Sequence, residues 1–117
     1  MHEYSIAQNI MQIILTEAEK AKARKVVKVS LKIGGLTGVF PDSLSFCFDL
    51  CSKGTIAENA DLIIEKVPIR GYCPHCNKVF LIEDNKYLCQ NCGNLKIELI
   101  TGRELQINHL EIEDETD

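Results

Sequence analysis

Two C-x-x-C pairs constrain the folding of this chain more than any other feature of its sequence. They are Cys73 with Cys76 and Cys89 with Cys92, and twelve residues separate them. Each pair can fold into a tight turn that directs two sulfurs at one point, and four cysteines at this spacing predict a tetrahedral zinc site. Gly93 follows the fourth cysteine and suits a turn that requires a positive φ. The pattern therefore predicts that Zn(II) holds this segment together.

The kind of metal site follows from the ligands. Four thiolates leave no coordination position open for catalysis, so the predicted zinc is structural. The surrounding segment, residues 70–96, is too short to bury a core, and the metal would supply about 10 kcal/mol or more of its folding free energy. The same four ligands also fit iron in a rubredoxin-like electron carrier. A zinc module can also bind a protein or a nucleic acid, so the residues alone leave these alternatives open.

Charge and composition narrow the class of protein. The chain has 117 residues, 45% of them apolar, and a formal net charge of −4. Zinc-bound thiolates would make the charge more negative, which argues against nucleic-acid binding because phosphate contacts need Lys and Arg. No apolar run reaches the roughly 18 residues of a transmembrane helix, and no signal peptide is recognisable. We therefore expect a cytoplasmic protein without a membrane partner, in which cysteines serve as metal ligands or core residues more often than as disulfides.

Two segments have the pattern of helices. The three- and four-residue spacing of apolar residues predicts one amphipathic helix over residues 5–24. Its predicted core positions are Ile6, Ile10, Ile13, Ile14 and Ala21. Residues 41–54 predict a second, shorter helix that begins at a proline and ends at a glycine. Cys47 and Cys51 share one face of it and resemble small buried hydrophobic residues.

Three other segments have the pattern of strands. Residues 25–35 alternate between apolar and polar side chains, which predicts a half-buried strand. Its apolar face is predicted to carry Val27, Val29, Leu31 and Ile33. Residues 60–68 predict a second strand, and residues 95–113 are again strand-like, with a bulge near His109 where the apolar parity shifts. Between the cysteine pairs, residues 79–89 predict a hairpin that turns at the sequence EDNK.

Together these elements predict an α+β fold. A three-stranded sheet carries two helices on one face, and a small zinc-ribbon-like module is inserted between the second and third strands. In this interpretation residues 1–69 and 97–117 form the α/β domain, and residues 70–96 form the zinc-binding module.

The first three residues, Met1, His2 and Glu3, predict a second kind of metal site. The Met1 α-amine, the deprotonated His2 backbone nitrogen and the His2 imidazole Nδ1 can form two fused chelate rings. Three nitrogens in a plane suit Ni(II) or Cu(II), and Glu3 can supply an oxygen or a counter-charge. Termini also fray and often carry a histidine, so spacing alone leaves both interpretations open. His75 is surplus to a four-cysteine site and is expected at the surface, with an occasional role as an alternative ligand as the other interpretation.

Four stretches of the sequence, taken together, resemble one known family. They are MHEYSIAQNI, VSLKIGGLTGVFPDSLSFCFD, the C-x-x-C pairs with CQNCG, and GRELQINHLEIE. The resemblance covers nearly the whole chain, and the four stretches in combination are specific to the family, whereas the cysteine pairs alone are not. The family is that of the hydrogenase-maturation nickel chaperones, HypA/HybF.

The resemblance implies a metallochaperone and not an enzyme. Family members bind Ni(II) through an N-terminal Met-His-Glu segment, which matches Met1, His2 and Glu3 here. They carry structural zinc on two C-x-x-C pairs, which match Cys73, Cys76, Cys89 and Cys92. Some members add a histidine near the second pair, but the stretch CQNCGNLKIE contains none, so a nickel ligand from that place is in doubt.

The resemblance also implies partners. Family members work with the GTPase HypB, deliver nickel to the hydrogenase large subunit, and in some cases serve urease maturation. The competing hypothesis is a zinc-ribbon module that binds a protein or a nucleic acid and has no nickel function. A site at the N-terminus separates the two, because only the metallochaperone needs it.

Overall fold

The computed structural model describes residues 2–114, which form two helices and six strands. In chain order these are α1 (His2–Lys20), β1 (Ala23–Gly34), α2 (Pro41–Ser52), β2 (Asp61–Val67), β3 (Arg70–Cys73), β4 (Lys78–Leu81), β5 (Glu98–Thr101) and β6 (Leu105–Asp114). The strands form two three-stranded sheets, in the orders β2-β1-β6 and β4-β3-β5. The prediction of an α+β fold with two helices and a zinc-ribbon-like module is confirmed. None of the described helices is long and apolar enough to cross a membrane.

The chain divides into two compact units. The first comprises Met1–Leu31, Val39–Glu65 and Gln106–Asp117, and the second comprises Lys32–Gly38 and Lys66–Leu105. Both helices belong to the first unit, and the sheet β4-β3-β5 belongs to the second. The segment predicted as a zinc module, residues 70–96, lies within the second unit.

The core of the first unit is built from one face of each helix. The buried positions of α1 are Ala7, Ile10, Met11, Ile14 and Ala18, which repeat at three- and four-residue intervals. From α2, Leu44 and Phe48 are fully buried, and each such side chain contributes about 1.5–3 kcal/mol by leaving water. The helix prediction was wrong at Ile13, which is 52% exposed because it lies about 100° around the helix from Ile14. It was also wrong at Ala21, because α1 ends at Lys20.

In two strands of the first sheet, buried and exposed residues do not alternate regularly along the whole strand. In β1 the buried apolar residues are Val26, Val29, Leu31 and Ile33. Val27, predicted to be buried, is 37% exposed, because the alternation shifts by one residue between Val26 and Val29. In β6 the half-buried residues Ile107 and Leu110 are also three positions apart. Between these two residues the more buried positions change from one face of the strand to the other, and this lies near His109, where the sequence predicted a bulge.

In the second unit, β3 is the central strand. It pairs antiparallel with β4 and with β5, so that Tyr72 lies opposite both Val79 and Glu98. A Cβ at Gly71 would come within 3.0–3.3 Å of the side chains of Phe80, Ile82 and Ile97. These residues form a small apolar cluster on one face of this sheet.

The predicted hairpin between the cysteine pairs is only partly present. The turn at EDNK forms: the Lys86 N–H donates to the Glu83 carbonyl at 3.0 Å, and Asp84 and Asn85 both have positive φ, as a type I′ turn requires. The following residues, 87–89, do not form a strand. β4 pairs with β3 instead, because the turn at the first cysteine pair already connects those two strands.

The strand-like region 95–113 is two strands that belong to different sheets. It breaks after β5 at Gly102, which has a φ of 125°. A Cβ on Gly34 would overlap the carbonyl of Gly102, so the two backbones approach more closely than any other residue would allow at position 34. The Gly34 N–H donates to the Glu104 carbonyl and the Leu36 N–H to the Gly102 carbonyl, each at 2.7 Å.

Candidate metal centres

The four cysteines of the two C-x-x-C pairs converge on one point. Their Sγ atoms all lie within 4.8 Å of one another. Cys73 and Cys92 have sulfurs 3.7 Å apart, and Cys76 and Cys89 have sulfurs 3.9 Å apart. A tetrahedral Zn(II) with Zn–S bonds of about 2.3 Å separates its sulfurs by about 3.8 Å. The donor set and its dimensions therefore fit a structural zinc ion.

The two pairs fold into equivalent turns. In the first, the Asn77 N–H donates to the Cys73 carbonyl at 2.7 Å, and in the second the Gly93 N–H donates to the Cys89 carbonyl at 2.7 Å. Both donors have positive φ, 55° for Asn77 and 77° for Gly93. Gly and Asn are the residues that best tolerate this conformation. Gly93 was predicted at this place from the sequence, whereas Asn77, which also lies four residues after the first cysteine of its pair, was not.

Hydrogen bonds to sulfur reinforce the cluster. The Cys76 N–H donates to Cys73 Sγ at 3.4 Å, and the side-chain amide of Asn91 donates to Cys76 Sγ at 3.3 Å. The amide Nδ2 of Asn94 lies 4.0 Å from Cys73 Sγ. N–H donors stabilise the thiolate form that a metal requires. Sequence reasoning missed both asparagines, although asparagine next to a cysteine ligand is a signal that it could have weighed.

The four thiols are not equivalent. The Cys92 backbone N–H, followed by the Asn91 backbone N–H, lowers the pKa of the Cys89 thiol to about 6 against the opposing effect of burial. At Cys92 the Asn94 backbone N–H lowers the pKa, but burial and the neighbouring cysteines raise it to about 12. Without a metal, the Cys89 thiol is therefore more acidic than the Cys92 thiol.

The remaining candidate residues of the sequence analysis lie outside this cluster. His75 is exposed, as predicted, and the metal-ligand cluster of the described residues consists of cysteines only. Cys47 is buried in α2, and Cys51 is half-buried. Burial, together with the nearby Cys47, raises the pKa of the Cys51 thiol. A thiol that keeps its proton behaves as a small hydrophobic group, in agreement with the interpretation made from the sequence.

The predicted nickel segment is described only in part. Met1 and the His2 side chain lie outside the described residues, but α1 begins at His2. Glu3 is 9% exposed, and its Oε2 accepts a hydrogen bond from the Phe40 N–H at 3.2 Å. Phe40 is the N-cap residue of α2 and has no side-chain oxygen with which to cap that helix. The Glu3 carboxylate thus connects the first turns of the two helices, a contact that the sequence did not reveal.

Comparison with known proteins adds an independent line of evidence. Residues 1–112 match the family model described as hydrogenase/urease nickel incorporation, metallochaperone, HypA. The hydrogenase maturation factor HypA of Nostoc punctiforme is 43% identical over 97% of both chains. The protein of the same name from Geobacter sulfurreducens is 42% identical, over 97% of this chain and the whole of the relative.

Solved structures support the fold. A solution structure of the nickel metallochaperone HypA from Helicobacter pylori matches with a TM-score of 0.69 and 22% identity, over 97% of this chain and 98% of the other. A second solution structure of a HypA protein matches with a TM-score of 0.72 and 24% identity, over 96% of both chains. With a family model matched along nearly its entire length and full-length relatives above 40% identity, the chain belongs to the HypA family of nickel metallochaperones.

Proposed function

We propose that this protein is a nickel metallochaperone that binds Ni(II) at its N-terminus and delivers it during the maturation of [NiFe]-hydrogenase. The observation that carries the proposal is the family match over residues 1–112, with relatives that are named hydrogenase maturation factors. In this role nickel is a transported cargo, Zn(II) is a structural ion, and the protein handles metal without catalysing a reaction.

The proposed nickel ligands lie in Met1, His2 and Glu3. The Met1 α-amine, the His2 backbone nitrogen and the His2 imidazole supply three nitrogens, an arrangement that suits Ni(II). The start of α1 at His2 supports this proposal, because the first four N–H groups of a helix have no intrahelical acceptor. Deprotonation of the His2 amide would therefore break no helical hydrogen bond. The Glu3 carboxylate offsets the positive helix end, which otherwise disfavours a cation.

The proposed zinc ligands are Cys73, Cys76, Cys89 and Cys92. Their sulfur spacing matches a tetrahedral ion, and two of the four are buried in the second unit. With four thiolates the ion keeps no open position. Zinc therefore supplies folding free energy to this unit and takes no part in nickel transfer by ligand exchange.

Transfer of nickel requires a site that holds the ion and then releases it. Ligands at the end of the chain suit this, because groups of an acceptor can reach the metal and replace them one at a time. Nickel affinity should fall as the pH drops and His2 becomes protonated. We propose the GTPase HypB and the hydrogenase large subunit as partners, urease maturation proteins as further acceptors, and the cytoplasm as the compartment.

The central experiment is a nickel titration of the full chain and two histidine variants. His2→Ala should lose stoichiometric Ni(II) binding, whereas His109→Ala, at an exposed position of β6, should keep it. Zinc content and far-ultraviolet circular dichroism should be the same in all three proteins. If His2→Ala binds one nickel with unchanged affinity, or if X-ray absorption finds sulfur ligands around the nickel, the proposed site is wrong.

Three further observations separate the proposal from its competitors. An extension placed before Met1 blocks the α-amine and should abolish nickel binding, which a zinc-ribbon interaction module would not need. Generic DNA at physiological salt should show no mobility shift, since the net charge of −4 opposes phosphate contacts. The protein should be colourless as purified, because iron bound to four thiolates absorbs visible light and zinc does not.

A further inference from the structure

Two asparagine side chains cross from one cysteine pair to the sulfurs of the other. Asn91 and Asn94 flank Cys92 in the second pair, yet the sulfurs they approach belong to Cys76 and Cys73 of the first. The Asn91 contact is the closer, with 3.3 Å between Nδ2 and Cys76 Sγ. Asn94 Nδ2 lies 4.0 Å from Cys73 Sγ. These contacts join segments that are 15 and 21 residues apart in the chain.

The orientation of the Asn94 amide follows from its other partners. Its Oδ1 accepts a hydrogen bond from the Lys96 N–H at 3.0 Å, so its Nδ2 is the end that faces Cys73. The Asn94 backbone carbonyl also accepts from the Cys89 N–H at 2.9 Å. Asn94 thus has a structural role in the second turn besides its contact with sulfur. The side chain of Asn91, an exposed residue, contacts the sulfur of Cys76. A substitution at Asn91 therefore tests the contact with sulfur without removing the bonds that Asn94 makes to Lys96 and Cys89.

The negative charge of the four thiolates explains why a neutral amide donor stabilises this site. Four thiolates around one divalent ion carry two net negative charges, and hydrogen bonds from N–H groups lower the electron density on sulfur. Cys73 accepts such a bond from the Cys76 backbone N–H. For the half-buried Cys76, the side chain of Asn91 supplies the donor. An amide donates at every pH, whereas a carboxylate of the same shape can only accept and would add a third negative charge.

We propose that Asn91 is a positioning residue of the metal centre. It donates to the Cys76 thiolate, and it thereby holds the turn that carries Cys92 against the first cysteine pair and increases the affinity for the ion. This inference rests on the proposed zinc assignment, and it goes beyond that assignment by giving a role to a side chain that does not touch the metal. Changes to such outer hydrogen-bond partners typically reduce metal affinity about 10- to 100-fold.

The test compares Asn91→Asp and Asn91→Ala with a matched control, Gln90→Glu. The control makes the same change of charge one residue away, at another exposed side chain of the same turn. Zinc affinity of the full chain is measured by competition with a chromophoric chelator. We expect affinity to fall about tenfold in Asn91→Ala and further in Asn91→Asp, and to stay within about twofold in Gln90→Glu.

A second measurement reports on the sulfur itself. In the Co(II)-substituted protein, loss of the N–H donor should move the sulfur-to-cobalt charge-transfer bands to lower energy in both Asn91 variants, and the control should keep the wild-type spectrum. If the Asn91 variants match Gln90→Glu in both measurements, the inference is wrong. If Asn91→Asp does not fold, Asn91→Ala decides the question alone. A wild-type chain that binds no zinc would instead refute the zinc assignment itself.

Discussion

The Glu3 carboxylate accepts a hydrogen bond from the backbone N–H of Phe40, with 3.2 Å between Oε2 and N. Glu3 lies in the first turn of α1, and Phe40 is the N-cap residue of α2. A carboxylate at this place interacts favourably with the N-terminal dipole of both helices. The third residue of the proposed nickel segment is therefore anchored in the body of the protein, within two residues of the proposed nitrogen ligands.

The hydrogen bond from Phe40 to Glu3 predicts that two substitutions of Glu3 change the stability of the protein to different extents. Glu3→Ala removes the acceptor and should reduce the free energy of unfolding by about 1–2 kcal/mol, the usual cost of a lost helix cap. Glu3→Gln keeps a side-chain oxygen for the Phe40 N–H and should cost less. Urea denaturation of the two variants measures the difference. Equal stability of Glu3→Ala and the wild type would contradict the anchoring role.

Nickel titrations of the same two variants distinguish the effect of the hydrogen bond to Phe40 from the effect of the negative charge of Glu3. Glu3→Gln removes the counter-charge, and at a distance of a few ångströms in water this weakens nickel binding by about 1 kcal/mol, or about fivefold. Glu3→Ala loses the counter-charge and the anchor together, so it should bind nickel more weakly than Glu3→Gln. A complete loss of binding in Glu3→Gln would instead identify the carboxylate as an indispensable ligand.

The four-cysteine site predicts that Cys73→Ser abolishes stoichiometric zinc binding. Because structural zinc supplies about 10 kcal/mol, we expect the second unit to unfold, with loss of the dispersed amide resonances of residues 66–105. The matched control is Cys51→Ser, a cysteine of α2 that lies outside the cluster, and it should bind one zinc ion. Metal analysis and heteronuclear NMR provide the readout, and a folded Cys73→Ser protein with one tightly bound zinc would contradict the assignment.

The pKa values of the cluster predict that zinc affinity rises with pH. Zinc binds thiolates, and the Cys92 thiol, with its pKa raised to about 12, must release a proton on binding throughout the neutral range. Affinity should therefore increase about tenfold or more per pH unit between pH 6 and 9. Below pH 6 the Cys89 thiol also becomes protonated, and the dependence should steepen. Competition titrations at several pH values check this, and a pH-independent affinity would contradict it.

Because the backbones of Gly34 and Gly102 approach closely, we expect that adding one methyl group at position 34 destabilises the protein. In Gly34→Ala the new Cβ would overlap the Gly102 carbonyl, so the backbone must shift, at a cost of about 1–3 kcal/mol. The neighbouring Gly35→Ala is the control, because its Cβ would lie 3.0 Å from the side chain of Ile69 and 3.8 Å from the nearest backbone atom, the Val67 carbonyl oxygen. Denaturation midpoints compare the two. A Gly34→Ala protein as stable as Gly35→Ala would show that the backbone adjusts there without strain.

Much of the fold could be predicted because it is encoded locally. Apolar spacing located both helices and β2, and the cysteine spacing located the metal-binding turns. The errors have physical causes. Ile13 was assigned to the core by helical spacing and Val27 by strand alternation, but burial depends on which residues the neighbouring elements cover. The strand-like region 95–113 was divided between two sheets by the break at Gly102, which a pattern of apolar residues does not reveal.

The sequence by itself determined the position of the two cysteine turns and the type of ligand at each proposed metal site, because the type of ligand and its spacing are local properties of the chain. Only the tertiary structure decided which distant groups support those ligands. The bond from Asn91 to Cys76 and that from Phe40 to Glu3 span 15 and 37 residues. Such contacts arise when packing brings separate turns together, and hydrogen bonds act only over about 3 Å, so an asparagine beside a cysteine can suggest a donor but not which distant sulfur receives its hydrogen bond.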